Sequence, residues 1–272
     1  MDFFIQHSIP ENWAPPSLAA TFLEQIFSEI PENLQKKAGI SIWQHSSPWR
    51  VSLLRYQSLC VEGNLTTPNE SPRFSYPQKH DKLFVFLQKI LGEQKIKPSL
   101  KNPRLEKLVK NCWKKLKSES GIDSAVVCAL APDLIFVDGP EFGSASHPHL
   151  FGAIIFSSKV LEKRGQAAVT RALIHEMAHQ EIFLLNLIDP LIVLKTAETQ
   201  RIYAPYQKKM RPPMGLVHAT HALFRMLQYD KRESQEYAAI YDVFRQSLDQ
   251  AKHLELSKIG KDLFQKYNEL CP

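Results

Sequence analysis

Residues 166–189 carry the sequence QAAVTRALIHEMAHQEIFLLNLID, and the rest of the chain is most easily interpreted from this stretch outward. Its apolar residues recur with the spacing of a buried helix, and the Asp-Pro step that follows should end that helix. His175 and His179 then lie one turn apart on one face, where both imidazoles can bind one metal ion. Glu176 lies near the same rim and can polarise a metal-bound water. The H-E-x-x-H pattern therefore predicts a metal site; the competing interpretation is two core histidines satisfied by hydrogen bonds.

Length and composition limit the class of protein. The chain has 272 residues, of which 44% are hydrophobic and 23% charged, as in soluble proteins with one large domain or a domain with an appendage. No run is long and apolar enough for a transmembrane helix, and the first residues lack signal-peptide features, so we expect a cytoplasmic protein. The net charge of +6 suits an anionic small molecule or an acidic peptide. The four cysteines are scattered without metal-type spacing, which favours reduced thiols.

The first 120 residues are predicted to form a mostly helical region that could bind the substrate. The patterns favour a strand at Val51–Tyr56 and helices at about 17–29, 80–92 and 103–118. The last of these helices carries a stripe of lysines, at Lys107, Lys110, Lys114 and Lys117. Such a stripe can hold an acidic peptide or nucleic acid, but a solvated face is the simpler interpretation. We therefore expect no nucleic-acid partner.

Residues 121–272 are predicted to form the catalytic core. Short apolar runs favour strands at Ala125–Leu130, Leu134–Val137 and Leu150–Phe156, and later segments favour helices at about 214–229, 234–252 and 257–270. The last strand comes just before the H-E-x-x-H helix, where zinc-peptidase-like folds place an edge that can pair with an extended peptide. The predicted fold is α+β and mostly helical, with a zincin-like core that contains a small sheet and the H-E-x-x-H active-site helix.

Two histidines do not complete a metal site, and the sequence offers several third ligands. The metzincin pattern fails, because Leu185 stands where its third histidine belongs and Ile182 where its glycine belongs. The gluzincin pattern also fails, because neither Glu233 nor Glu236 has an aspartate four residues later. Better candidates are His218 and His221, on the apolar segment 214–229. By default each is a core histidine, but after an H-E-x-x-H helix we expect one of the two to bind metal.

Several segments, taken in order, resemble one family. These are EFGSASHP, GAIIFS, ALIHEMAHQEIFLLNLIDPL, IYAPY and RPPMGLVHATHALFRM, which lie at 141–148, 152–157, 172–191, 202–206 and 211–226. They resemble the H-E-x-x-H putative peptide-modification family, which includes 2-oxoglutarate-dependent peptide β-hydroxylases of modified ribosomal peptide biosynthesis. The resemblance covers roughly residues 140–230, and its most diagnostic part after H-E-x-x-H is the Arg-Pro followed by Gly and His that begins at Arg211.

The resemblance implies an iron(II) site and an oxygenase reaction on a ribosomally made precursor peptide. Its ligands would be His175, His179 and His218, with His221 as a second-shell residue or alternative ligand, and the cosubstrates would be 2-oxoglutarate and dioxygen. The distal carboxylate of 2-oxoglutarate needs a fixed cation, for which the planar fork of arginine is well suited. The other implied site residues are Arg211 or else Arg225 for that carboxylate, Tyr203 near the cosubstrate, Glu176 in a supporting role, and Ser144, His147 and Gly152 near the peptide.

Two other functions remain open from the sequence. A zinc metallopeptidase would use the same two histidines, with Glu176 as the general base that activates a zinc-bound water. A binding protein with a closed, structural metal site is the third possibility. The failed metzincin and gluzincin patterns, together with the Arg-Pro and His segment, favour the oxygenase.

Overall fold

The computed structural model describes residues 72–91, 96–120, 133–139, 143–150, 152–188, 191–193, 200–229 and 235–269. The predicted helix at 17–29 and the predicted strands at Val51–Tyr56 and Ala125–Leu130 lie outside the described residues. Everything below concerns the described part of the chain.

The described residues up to Gln180 form one compact unit around a small sheet. Its elements are β1 (Arg73–Ser75), α1 (Lys82–Leu91), β2 (Lys97–Pro98), α2 (Pro103–Ser120), β3 (Asp133–Asp138), β4 (Ser144–Ala145), a 3-10 turn (Pro148–Leu150), β5 (Ala153–Ser157), α3 (Ser158–Glu162) and the first part of α4 (Gln166–Ile188). The helices predicted at about 80–92 and 103–118 and the strand predicted at Leu134–Val137 are thereby confirmed, with ends that differ by a few residues.

The sheet has the strand order β1-β3-β5-β4, with β2 also paired to β3. The strands β1, β3 and β5 run parallel, whereas β4 runs antiparallel to β5, with Ser144 opposite Phe156 and Ala145 opposite Ile155. The central strands β3 and β5 are buried along almost their whole length, as expected of parallel strands covered on both faces. Leu83, Phe84 and Leu87 of α1 pack in the same cluster as residues of β3 and β5.

The predicted free edge at Leu150–Phe156 is not observed. The strand starts later, at Ala153, because Leu150 ends the 3-10 turn and Gly152 has a φ of 89°, outside the range of a strand. The 3-10 turn reverses the chain direction between β4 and β5, so that β4 pairs antiparallel to β5. The strand β5 is therefore paired on both sides, to β3 and to β4. Among the described strands, the edge next to β5 is therefore β4.

The described residues from Glu181 onward form a second compact unit. Its elements are the end of α4, the hairpin β6 (Ile202–Ala204) and β7 (Lys209–Arg211), and the helices α5 (Pro213–Tyr229), α6 (Gln235–Ala251) and α7 (Lys258–Glu269). Helices predicted at about 214–229, 234–252 and 257–270 are confirmed. Phe224, Phe244 and Tyr267 are buried, and their rings pack in tilted and edge-on arrangements at centroid distances of 4.9–6.2 Å, which joins the three helices.

These observations establish an α+β chain, mostly helical, with a small sheet. The two units divide within α4, between Gln180 and Glu181. The division predicted from the sequence, into residues 1–120 and 121–272, stays a prediction, and α1 shares a core with β3 and β5. Within the described residues, no helix combines the length and apolarity that a membrane crossing would need.

Gly260 is a position where the packing requires a glycine. A Cβ atom added there would collide with the backbone carbonyl oxygen of Leu191. We expect Gly260→Ala to lower the free energy of unfolding by about 1–3 kcal/mol, because the backbone must shift, although alanine is otherwise the better helix former. Gly165→Ala is the control, because a Cβ there has no neighbour within 4 Å. Urea denaturation measures both; an unchanged or higher midpoint for Gly260→Ala would contradict the close approach of Leu191.

Candidate functional site

The helix α4 carries the predicted histidines on its partly exposed side. It is buried at most positions, including Leu173, Met177 and Ile182. A stripe of partial exposure runs along it at Ala168, Arg171, His175, His179, Phe183 and Asn186. Steps of three and four residues keep this stripe on one face of a helix. Residues Gln166–Ile188 are helical, and both histidines are half-buried, so that they line a surface instead of filling the core.

The two imidazoles converge on a single point. Their Nε2 atoms are 3.1 Å apart, and the rings are perpendicular with centroids 4.7 Å apart. This separation permits a hydrogen bond between the rings, and it also suits two nitrogens bound to one ion. At a metal–nitrogen distance of about 2.0–2.1 Å, the separation corresponds to an angle of about 95–100° at the metal, between octahedral and tetrahedral values. The geometry of the two histidine nitrogens fits iron(II) and zinc equally well.

Glu176 is the second element of the site. Its side chain is buried, and within the described part of the chain its Oε2 atom has no hydrogen-bond partner. A buried carboxylate oxygen without a partner is costly unless a cation or a donor such as water approaches it. The backbone of the same residue is tied to the sheet edge, because Ser146 Oγ donates to the Glu176 carbonyl oxygen at 3.4 Å. The two converging imidazoles can share one metal ion, and a water or another donor can satisfy the buried Oε2 atom of Glu176.

The residues predicted to touch the peptide have different surroundings. Ser144 is half-buried on the edge strand β4, and His147, also half-buried, meets Phe86 edge-on with ring centroids 6.3 Å apart. The Gly152 amide donates to Gln180 Oε1 at 2.7 Å, and Gln180 Nε2 donates to the Ala153 carbonyl oxygen at 3.2 Å. The Gly152 amide is therefore used within the fold, where Gln180 fixes the start of β5 to the histidine-bearing helix.

In the C-terminal unit, His218 and His221 differ sharply. His218 is half-buried, and its ring packs against Phe183 with centroids 4.8 Å apart. His221 is fully buried and both of its nitrogens are engaged: Nε2 lies 2.6 Å from Glu181 Oε2, and Nδ1 lies 2.7 Å from the Tyr267 hydroxyl oxygen. Burial lowers the pKa of His221 below its usual 6.5. Of the two roles predicted for His221, this geometry favours the supporting one over direct metal binding.

The two candidate arginines also differ. Arg225 is buried and forms a two-pronged ion pair with Glu181, through Nε to Oε2 at 2.8 Å and Nη2 to Oε1 at 2.5 Å. Arg211 is half-buried at the end of β7, and within the described residues its buried Nε atom has no hydrogen-bond partner. A Cβ at Gly215 would lie 3.2 Å from Arg211 Cβ, so this glycine leaves the arginine its space. Tyr203, opposite Met210 on the hairpin, is 41% exposed.

Glu181 and Gln180 have roles that the sequence analysis missed. One weak signal was present, because a glutamine and a glutamate directly after the second histidine lie on a helix predicted to be buried nearly all round. Their partners could not be inferred, since they lie 27 to 44 residues away along the chain.

The structure brings together His175 and His179 but places His218 in the other compact unit. Among the described residues, no group of three or more His, Cys, Asp or Glu side chains is arranged to hold a metal ion. No protein-family model matches this chain, and no curated protein matches it in sequence.

Proposed function

We propose that this chain is an iron(II)- and 2-oxoglutarate-dependent peptide β-hydroxylase that acts on a ribosomally made precursor peptide. The observation that carries the proposal is the convergence of the His175 and His179 Nε2 atoms, 3.1 Å apart on one helix. The choice of reaction rests on the segments that resemble the peptide-modification family and on the unpaired Nε atom of Arg211. The proposal includes a cytoplasmic location, where scattered cysteines such as the buried Cys112 would stay reduced.

The proposed fold family is the zincin-like group. Two features support it: an antiparallel strand, β4, at one side of the sheet, and the H-E-x-x-H helix α4 shortly after its neighbour β5. Ser146, just beyond β4, is hydrogen-bonded to the backbone of Glu176. An extended peptide that added to β4 would therefore run past the helix that bears the histidines. The strand proposed to pair with the peptide is therefore β4, whereas the sequence had predicted β5.

In the proposed reaction the protein holds and orients the reactants. His175 and His179 would hold iron(II); His218, the third ligand that the family resemblance implies, belongs to the other compact unit and stays a prediction. Bound iron would let dioxygen oxidise both reactants, so that 2-oxoglutarate becomes succinate and carbon dioxide with one oxygen atom and the C–H bond of the peptide becomes C–OH with the other. Glu176 would orient a water or a metal ligand without binding the metal itself, because its Oε2 atom is buried and has no partner within the described residues. Ser144 and His147 would contact the peptide from the edge of the sheet.

Arg211 would bind the distal carboxylate of 2-oxoglutarate. A charge-assisted hydrogen bond contributes about 1.5–3 kcal/mol, so we expect Arg211→Gln to raise the KM for 2-oxoglutarate about 10–100-fold with a smaller change in kcat. Arg211→Lys should recover only part of the affinity, because lysine lacks the two-pronged fork. The control is Arg201→Gln, which changes an exposed arginine directly before β6 whose guanidinium donates to the Gln200 carbonyl oxygen. An equal effect of both glutamine variants would remove Arg211 from the cosubstrate site.

The proposal can be tested before the peptide is known. Protein purified without oxygen is titrated with iron(II) and then with 2-oxoglutarate, following bound iron by metal analysis and cosubstrate binding by calorimetry and visible absorption. We expect one iron per chain and 2-oxoglutarate binding that depends on iron. Iron binding without any affinity for 2-oxoglutarate would contradict the oxygenase and leave the zinc metallopeptidase as the better hypothesis.

A further inference from the structure

The exposed face of α2 carries a stripe of positive charge. The helix contains six basic and two acidic residues, a net charge of +4 within a chain whose net charge is +6. Four of its basic side chains are exposed, at Arg104, Lys107, Lys110 and Lys114. Steps of three and four residues keep these four on one side of the helix, and the opposite side is buried. The stripe is therefore a surface feature that takes no part in the core.

Local electrostatics does not explain this stripe. Cations three and four residues apart on a helix repel one another, and a cation in the first turn, such as Arg104, also opposes the helix dipole. Within the described residues, none of the four forms an ion pair with a carboxylate. Exposed lysines elsewhere do form one: Lys159 pairs with Asp138 at 3.4 Å and Lys252 with Asp249 at 2.7 Å. The stripe thus costs the helix stability, which is typical of residues that serve a function.

The helix α2 is fixed to the part of the fold that carries the histidine pair. Cys112 Sγ donates to the carbonyl oxygen of Gln166, the first residue of α4, at 3.4 Å. His175 and His179 belong to the same compact unit as α2. A segment bound along the stripe would therefore be held on the unit that bears both histidines.

The size and chemistry of the stripe fit a short acidic peptide. From Arg104 to Lys114 the helix rises about 15 Å, a distance that about five extended residues cover. Four cations over this length match a run of aspartate and glutamate carboxylates. A nucleic acid fits less well, because proteins that bind single strands add aromatic side chains on which bases stack, and Trp113 of α2 is only 2% exposed.

We propose that the stripe on α2 binds an acidic segment of the peptide substrate. The inference rests on the proposed function in one respect, that the peptide bound there is the precursor peptide. It adds a requirement on that substrate: a short run of aspartate and glutamate, apart from the residue that reacts. Recognition at this face is electrostatic, so it speeds association and weakens as salt is raised.

The test is fluorescence anisotropy with two labelled peptides of about 10 residues, long enough to cover the stripe in an extended form. One peptide alternates glutamate with serine, and in the other glutamine replaces every glutamate. We expect the wild-type protein to bind the acidic peptide in preference to the neutral one, with an affinity that falls as salt is raised. The triple variant Lys107→Gln, Lys110→Gln, Lys114→Gln should raise the Kd for the acidic peptide about 5–50-fold, because each exposed charge pair contributes a modest factor.

The matched control removes three positive charges elsewhere. The triple variant Lys252→Gln, Lys258→Gln, Lys261→Gln changes exposed lysines after α6 and on α7, and it should change the Kd less than about 2-fold. The inference is overturned if the acidic peptide binds no more tightly than the neutral one, or if both triple variants weaken binding equally. It is also overturned if a single-stranded oligothymidylate of the same charge binds more tightly through the α2 lysines, which would make this face a nucleic-acid site.

Stability and the proposed reaction are followed separately. Glutamine forms helices about as well as lysine, and three mutually repelling charges are gone, so the α2 triple variant should have the wild-type Tm or a higher one. If it does not fold, the single variants Lys107→Gln and Lys114→Gln decide. The peptide titration needs neither metal nor 2-oxoglutarate, so failure of the oxygenase proposal would appear separately, as absent 2-oxoglutarate binding.

Discussion

Replacing His175 or His179 with alanine is expected to remove bound metal from the protein. The Nε2 atoms of the pair are 3.1 Å apart, so under the proposed function each imidazole would supply one of the bonds to the same ion. Structural zinc sites bind with about 10–16 kcal/mol shared among four ligands, so the loss of one ligand should weaken affinity by about 10²-fold or more. The measurement is metal per chain after dialysis against a weak chelator, together with the far-ultraviolet circular dichroism of each variant.

The matched control for these variants is His253→Ala, which changes an exposed histidine after α6. It should keep the wild-type metal content under the same dialysis. If both His175→Ala and His179→Ala also keep it, then the close approach of the two rings is only a hydrogen bond between two half-buried histidines. The loss of metal in one variant and its retention in the other would show that the two histidines do not share one ion.

The second large effect concerns Glu176→Gln, because this variant distinguishes the proposed oxygenase from the zinc metallopeptidase. In a metallopeptidase this carboxylate must take a proton from the attacking water, and loss of a general base costs about 10²–10⁴-fold in rate. Hydroxylation of a C–H bond needs no attacking water, so we expect Glu176→Gln to keep measurable activity. The assay is mass spectrometry of the cognate peptide with iron(II), 2-oxoglutarate and air, which should show the gain of one oxygen atom. Peptide cleavage that is supported by zinc, indifferent to 2-oxoglutarate and abolished by Glu176→Gln would overturn the assignment.

Because Glu176 is buried, an effect of Glu176→Gln on activity can be distinguished from an effect on stability. Its Oε2 atom is buried and, within the described residues, has no partner, so the charge of the wild-type side chain costs free energy in the absence of a bound cation. The neutral amide avoids the cost of burying a charge, and the metal-free Glu176→Gln protein should be as stable as the wild type or more stable. A loss of activity in this variant could then not be attributed to unfolding. Thermal unfolding of both metal-free proteins measures the difference.

The sequence was sufficient for the parts of the fold that depend on local periodicity. The bounds of α4 follow from apolar spacing and the Asp-Pro step, and β3 follows from a short apolar run ending near Asp138. The position of β5 was harder to predict, because the positive φ of Gly152 delays the strand and leaves no pattern in the sequence. The edge strand β4 was missed because two residues are too few to show an alternating pattern.

The site was predictable only where its residues are close in sequence. His175, Glu176 and His179 follow from one turn of a helix, whereas the surroundings of Glu181 depend on Arg225 and His221, which are 44 and 40 residues away. Hydrogen bonds over such separations are set by the packing of helices, which a single sequence does not display. For the same reason the sequence named Arg211 first and Arg225 second for the carboxylate, but it did not show that Arg225 is paired with Glu181 or that Arg211 has a buried nitrogen without a partner in the described part of the chain.

The shortness of the outer strands has a consequence for self-association. Among the described strands, the two ends of the sheet order are β1, with three residues, and β4, with two. Long flat edges recruit the edges of other molecules and begin aggregation, and short ones offer too few backbone groups to hold such a contact. A sheet with these edges can admit a short guest strand beside β4 while discouraging permanent pairing with another copy of the chain. High protein concentration should therefore be tolerated without fibril formation.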